Sequence, residues 1–192
     1  CGYADKKNIN DIDFINAVIK QIKEKYSIDE KRVYATGLSN GGMMCYLIAS
    51  ELSELFAAVA PVAGAMFDTT SSNPKSEVSM IIFNSADDLH VPYNGGAGEK
   101  SLVDVEYLPV ETTVNLWVDK YNAFLMSKSE SSAFFKTNYK NSNGTEIVLY
   151  KMLSGGHSWP GGEKIRRFAD NPIKSVSATD LIWEFFKNNP KH

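Results

Sequence analysis

The pattern G-x-S-x-G, which runs from Gly37 to Gly41 with Ser39 at its centre, constrains the fold of this chain more than any other stretch. A short apolar run of β-forming type, residues 32–36, precedes the pattern, and residues 43–50 after it have the composition of a buried helix. A strand, a sharp glycine turn and a helix in this order predict a nucleophile elbow. In such a turn the serine has strained backbone angles, and both glycines leave room for it. The alternative is a glycine-rich turn with a purely structural role.

Strands and helices are predicted to alternate along the rest of the chain. Helices are predicted at residues 8–26, at 109–124 and from 177 onward, and strands at 55–64, 78–84, 133–139 and 146–152. In the first helix a buried stripe is predicted from the helical spacing of Ile12, Ile15, Ile19 and Ile22. Residues 65–77 and 127–132 are polar and predicted to be surface loops, and Asn143-Gly144 is predicted to be a turn between the last two strands. This alternation indicates an α/β fold, with a mostly parallel sheet flanked by helices.

Two later loops carry side chains suited to catalysis. The loop after the strand at 78–84 contains the adjacent carboxylates Asp87 and Asp88, followed by His90, and a glycine-rich loop with His157 follows the last strand. In α/β-hydrolases the acid and the histidine of the catalytic triad stand on loops after late strands, in the chain order Ser, Asp, His. His90 either contacts substrate at the mouth of the site or orders its own loop.

Three stretches, residues 33–44, 84–96 and 154–162, resemble segments of the feruloyl esterase and polyhydroxybutyrate depolymerase-like esterases, which are α/β-hydrolases related to carbohydrate esterases. The family pattern around the acid is approximately H-G-T-x-D-x-x-V-P-Y. In that register the acid is Asp88, four residues before Pro92, with Asp87 as the fallback. The family segment G-G-H-x-W-P-G assigns the histidine to His157. This chain departs from the pattern at residues 84–85, where Asn-Ser replaces His-Gly.

The resemblance implies a role for each matching residue. Ser39 would be the nucleophile, His157 the general base and Asp88 the group that orients it. The main-chain N–H of Asn40 would supply half of the oxyanion hole. Trp159 would line the cleft or pack under the histidine loop.

The resemblance also implies what surrounds these residues. Residues 1–192 would be a single catalytic domain of α/β-hydrolase type that lacks the N-terminal strands of its relatives and their second oxyanion donor. The open sheet edge left by this absence predicts self-association. Relatives are often secreted and carry Cys-Cys-Gly where this chain begins with Cys1-Gly2, so the disulfide partner of Cys1 would lie upstream. A bridge from Cys1 to Cys45 is the alternative, although Cys45 is most simply a small buried hydrophobe.

Composition excludes several functional classes. A net charge of −3 and a pI near 5.7 give no support for nucleic-acid binding or for attraction to anionic membranes. No apolar run reaches the length of a membrane helix. The sequence shows no phosphate loop and no metal-site spacing among His90, His157 and His192, so neither a metal nor another cofactor is expected.

The first hypothesis is an extracellular serine esterase that removes feruloyl or acetyl groups from plant cell-wall polysaccharides through an acyl-enzyme. Two alternatives within the same chemistry are a polyhydroxybutyrate-type depolymerase and a general short-chain carboxylesterase. An alternative of another class is an inactive hydrolase fold that serves as a binding module.

Overall fold

A computed structural model describes residues 7, 9–68, 73–164, 167 and 169–191 of the chain. The prediction about Cys1 therefore lies outside the described residues, as does His192. No helix in the described ranges combines the length and the apolar character that crossing a membrane requires.

The described chain forms four α-helices and eight strands. The helices are α1 Asp11–Lys25, α2 Asn40–Glu51, α3 Val110–Lys120 and α4 Ala178–Asn188. The strands are β1 Tyr34–Leu38, β2 Ala58–Val62, β3 Ser79–Ser85, β4 Gly96–Ala97, β5 Glu106–Tyr107, β6 Phe124–Glu130, β7 Phe134–Lys140 and β8 Glu146–Met152. A single 3₁₀ turn, Glu30–Arg32, leads into β1.

Six of the strands form the main sheet, in the order β1-β2-β3-β8-β7-β6. Strands β1, β2, β3 and β8 run parallel, and β7 and β6 extend the sheet in antiparallel fashion. Every residue of β2 and β3 is buried, as expected for parallel strands covered on both faces. The carboxyl ends of the parallel strands meet at one edge of the sheet. The predicted fold class is confirmed.

Alternate residues of β3 supply the two halves of the core. Met80 and Ile82 lie in a cluster with the buried faces of α2 and α3, whereas Ile81 and Phe83 lie in a second cluster beneath α4. This division follows from the period of two along a strand. The helices thus cover both faces of the sheet, and the loops after the parallel strands remain free to build a site at its edge.

The isoleucine stripe of α1 is less buried than predicted. Ile12, Ile15 and Ile19 are partly buried and pack against the first core cluster, but Ile22 is 42% exposed and no residue of α1 is fully buried. The helical spacing therefore gave the correct direction of the stripe. It overestimated the burial because α1 packs only against the margin of the cluster.

The polar loop predicted at residues 127–132 is wrong over most of its length. Residues Phe124–Glu130 form β6, which pairs with β7 through an irregularity between Leu125 and Ser127. Every residue of β6 is exposed, so its sequence lacks the alternation of a half-buried strand. The helix predicted to reach residue 124 ends at Lys120. The turn at residues 143–144 is confirmed, and Gly144 has a φ of 93° there.

Candidate active site

Ser39 stands between the end of β1 and the start of α2, in the strand–turn–helix arrangement that its sequence predicts. Its φ of 59° and ψ of −116° are unusual for a residue with a side chain. Two main-chain hydrogen bonds hold this conformation: the Ser39 N–H donates to the Val62 carbonyl at 2.8 Å, and the Met43 N–H donates to the Ser39 carbonyl at 2.9 Å. Strain that the surroundings maintain in this way is typical of functional positions.

The two glycines of the motif differ in how much they are needed. A Cβ atom on Gly37 would lie 2.6 Å from the carbonyl carbon of Gly41, whereas a Cβ on Gly41 would meet nothing within 4 Å. The expectation that both glycines make room for the turn therefore holds for Gly37 and not for Gly41. A second close approach joins Gly42 and Gly64, since a Cβ on Gly64 would lie 2.9 Å from the Gly42 carbonyl carbon. The start of α2 therefore packs main chain to main chain against the segment after β2.

Asp88 and His157 meet on the loops that follow the neighbouring strands β3 and β8. The Nδ1 atom of His157 donates to Oδ2 of Asp88 at 2.8 Å. The other carboxylate oxygen, Oδ1, accepts from the main-chain N–H groups of His90 and Val91 at 2.8 and 2.9 Å. Asp88 is buried, with 3% of its surface exposed. The carboxylate is thus held rigidly and can orient the imidazole ring of His157.

Asp87 occupies a different place although it is adjacent in sequence. Its Oδ1 atom accepts from the Gly156 N–H at 2.9 Å and from the Ser85 hydroxyl at 2.8 Å. Asp87 thus binds the main chain of the histidine loop, while Asp88 binds the ring. This division of contacts favours Asp88 as the acid.

His90 lies against the face of the His157 ring. The ring centroids are 4.7 Å apart and the planes differ by 26°. The spacing of these two histidines in the sequence gave no sign of a metal site. In the fold, however, Asp88, His90 and His157 offer possible ligand atoms within 4.8 Å of one another. Imidazole binds a metal that lies in the plane of its ring, so a metal shared by both histidines would have to lie in both ring planes. Because these stacked planes differ by only 26°, they intersect far beyond bonding distance from the rings. The arrangement suits ring packing better than coordination.

Trp159 links the histidine loop to α4. Its indole N–H donates to the Thr179 hydroxyl at 3.0 Å, and its side chain packs partly buried against the second core cluster. Of the two roles predicted for Trp159, these contacts match packing under the loop.

Asn40 is the first residue of α2, and it is exposed. The N–H groups of a helix's first turn lack intrahelical acceptors and lie at the positive end of the helix dipole. The Asn40 N–H is therefore suited to a developing negative charge next to Ser39.

Two residues near the site had no role assigned from the sequence. Asp170 accepts the main-chain N–H of His157 at 2.8 Å, yet it lies in a stretch, residues 163–177, that shows only a polar composition. Asn84, which departs from the family pattern, is 1% exposed and donates to the Gly64 carbonyl at 3.1 Å. In the sequence, Asn84 was marked only by its departure from the family pattern, and no pattern indicates a role for Asp170.

Comparisons with known proteins agree with this architecture. A family model described as the prolyl oligopeptidase family matches residues 2–79. A probable feruloyl esterase C from Aspergillus clavatus is 31% identical over 177 residues, which are 92% of this chain and 57% of that protein. The poly(3-hydroxyalkanoate) depolymerase C of Paucimonas lemoignei is 27% identical over 76% of this chain and 40% of that protein. The solved structure of an acetyl xylan esterase from Aspergillus awamori superposes with a TM-score of 0.60 at 16% identity, covering 91% of this chain and 66% of that one.

The chain thus has the α/β-hydrolase fold and is similar in sequence to proteins named as esterases. It spans less than two thirds of the length of these relatives. Within the α/β-hydrolase sheet, Ser39, Asp88 and His157 all follow the carboxyl ends of parallel strands, which is where this fold places its triad.

Proposed function

We propose that this α/β-hydrolase hydrolyses carboxylic esters, with Ser39 as nucleophile, His157 as general base and Asp88 as the orienting acid. The observation that carries the proposal is the 2.8 Å hydrogen bond between His157 Nδ1 and Asp88 Oδ2, at the sheet edge that also holds the strained Ser39. Relatives named as esterases and as a polyester depolymerase support the same chemistry.

The first half of the reaction forms an acyl-enzyme. His157 takes the hydroxyl proton of Ser39 as its oxygen attacks the ester carbonyl, and Asp88 stabilises the resulting imidazolium. The Asn40 N–H, at the start of α2, donates to the oxyanion of the tetrahedral intermediate, where one such donor contributes about 10²–10³-fold to the rate. His157 then returns its proton to the alcohol that leaves. In the second half water attacks the carbonyl of the acyl-enzyme. The bond to the Ser39 oxygen then breaks, which releases the acid and regenerates Ser39.

The proposed substrates are feruloyl or acetyl esters of plant cell-wall polysaccharides. Relatives named for feruloyl esters and for acetyl xylan support this choice. The alternative is a polyester of hydroxyalkanoates, supported by the depolymerase relative. Release of ferulate from feruloylated arabinoxylan, of acetate from acetylated xylan and of hydroxybutyrate from polyhydroxybutyrate, measured side by side, would decide among them.

The decisive test of ester hydrolysis compares the wild-type protein with Ser39→Ala on p-nitrophenyl acetate. Removing a catalytic serine typically lowers kcat by about 10⁴-fold or more, so the variant should retain only background hydrolysis. Equal rates in the two proteins would remove the proposal. A fluorophosphonate probe offers a second readout, since it should label Ser39 in the wild type and leave the variant unlabelled.

The non-catalytic alternative, a hydrolase fold that only binds, predicts a different pattern. A binding module would hold an esterified oligosaccharide without releasing its acid, and the affinity would not change in Ser39→Ala. The fixed geometry of Asp88 against His157 favours catalysis, because binding alone does not require a buried carboxylate behind a histidine ring.

We also propose extracellular action and self-association. Polysaccharide esters of plant walls lie outside the cell, so an enzyme acting on them would be secreted. Among the described residues β1 pairs only with β2, which leaves one side of β1 open to another strand. Sedimentation velocity over a hundredfold range of concentration would show a shift toward a dimer, and a constant monomer would contradict self-association.

A further inference from the structure

We propose that Asp170 is a positioning residue for His157. This assignment rests on the proposed function, in which His157 is the general base. Asp170 reaches the histidine loop from a separate stretch of chain and contacts its main chain, not the ring. Its Oδ2 atom accepts the His157 N–H at 2.8 Å.

Asp170 completes a clamp formed by two carboxylates. The consecutive N–H groups of Gly156 and His157 are bound by Asp87 at 2.9 Å and by Asp170 at 2.8 Å. Asp87 precedes the histidine loop in the sequence, directly after β3, whereas Asp170 follows that loop. Hydrogen bonds to ionised groups are roughly twice as strong as those between neutral groups. The two carboxylates therefore fix the orientation of the peptide units that carry His157.

The loop requires such a clamp because its backbone is irregular. Gly155 and Gly156 have φ values of 118° and 55° and belong to neither a helix nor a strand. The hydrogen-bond ladder of a regular element therefore does not stabilise this turn. Asp170 lies directly over Gly156, where a Cβ atom would be 2.6 Å from the Asp170 Cγ. The glycine at position 156 is thus explained twice, by its positive φ and by the approach of Asp170.

Asp170 also lies beside the ring that covers His157. Its Oδ2 atom is 4.0 Å from Nδ1 of His90, whose ring stacks on His157. Asp88 holds the edge of the His157 ring, His90 covers one face, and Asp170 holds the main chain. Loss of Asp170 would let the peptide unit that carries His157 rotate and change the orientation of the ring.

The test compares Asp170→Ala with Asp170→Asn, because asparagine keeps an acceptor oxygen and removes only the charge. A misplacement of about 1 Å can cost about 10²-fold, so Asp170→Ala should lower kcat about 10- to 100-fold with little change in KM. Asp170→Asn should recover most of that loss. Asp119→Ala, which removes an exposed carboxylate on α3, is the matched control and should keep wild-type kinetics.

A second readout does not depend on catalysis. Hydrogen exchange at the His157 amide, followed by NMR, should be about 10-fold faster or more in Asp170→Ala, as expected for the loss of a hydrogen bond to a charged acceptor. Unchanged exchange and unchanged kcat in Asp170→Ala would overturn the assignment, as would an Asp170→Asn variant as slow as Asp170→Ala. If Ser39→Ala were as active as the wild type, the proposed function would fail, while the exchange measurement would still report whether Asp170 holds the loop.

Discussion

Gly37 lies so close to Gly41 that a Cβ atom on Gly37 would be 2.7 Å from the Gly41 Cα. The contact joins the end of strand β1 to the first turn of α2, so it sets how sharply the chain reverses at Ser39. Because Gly41 faces open space in the other direction, the steric demand of the G-x-S-x-G motif falls on its first glycine.

We predict that Gly37→Ala and Gly41→Ala differ in stability. Gly37→Ala must push apart two backbone segments and should lower the free energy of unfolding by about 1–3 kcal/mol or more. Gly41→Ala adds a methyl group in open space within the first turn of a helix and should leave the free energy of unfolding within about 1 kcal/mol of wild type. Urea denaturation followed by circular dichroism measures both.

The pair of alanine variants contains its own control, since the same methyl group is added four residues apart. If both variants were equally destabilised, the asymmetry between the two glycines would be refuted. Activity is a separate measurement, because a methyl group at position 41 lies next to the nucleophile.

We predict that Asp88→Asn impairs catalysis more than Asp87→Asn. Asparagine at position 88 would disturb the tautomer and orientation of His157, and the corresponding change in a serine protease lowers kcat about 10⁴-fold. Asparagine at position 87 can still accept the Gly156 N–H through its amide oxygen, so kcat should fall less than about 10-fold. Steady-state kinetics on p-nitrophenyl acetate distinguishes the two, and a larger loss at Asp87 would reverse their roles.

The elements that sequence predicted best were those whose residues carry a strong periodic or turn signal. The elbow around Ser39, the buried strands on either side of β3 and the glycine loop of His157 all depend on local patterns, and the structure contains each of them. The α/β-hydrolase fold followed from these elements in order. The direction of the α1 stripe followed from its spacing alone.

The parts that sequence could not predict depend on contacts between distant residues. Strand β6 is exposed along its whole length, and its pairing with β7 leaves no hydrophobic pattern to detect. Asp170 contacts His157 across a stretch of polar chain, and nothing near position 170 marks it as special. The family register favoured Asp88 with Asp87 as the fallback, but the different contacts of these adjacent carboxylates appear only in three dimensions.

We predict that His90 supports catalysis by stacking the face of its ring on the His157 ring. His90→Phe keeps an aromatic face against His157 and should retain kcat within about 5-fold, whereas His90→Ala removes the stacked ring and should lower kcat about 10-fold or more. The direct contact with substrate predicted from sequence would instead raise KM in both variants. Measuring kcat and KM separately for the two variants therefore decides between the two roles of His90.

We predict that stability falls at alkaline pH partly because of Cys45. The thiol is 1% exposed, and burial raises its pKa from 9.0 to about 12, although a hydrogen bond from the main chain at Ala60 opposes this shift. A raised pKa in the folded state means that the contribution to stability is complete below pH 9 and is lost as the pH rises toward 12. Burial also raises the pKa of Tyr46, Tyr93 and Tyr121, so these phenols add to the same decline.

Substitution by alanine isolates the contribution of Cys45 from that of the tyrosines. Between pH 9 and 12 the buried Cys45 thiol should lower the free energy of unfolding by about 1.4 kcal/mol per pH unit, because only the unfolded chain releases the proton. The tyrosines add to the decline only above pH 10, their ordinary pKa. Cys45→Ala should therefore show a shallower decline over that range, by about the slope of one group, even though it is less stable at pH 7 through the cavity that it creates. Urea denaturation of both proteins at several pH values gives the two slopes. Parallel slopes would mean that the Cys45 thiol ionises equally easily in the folded and unfolded chains.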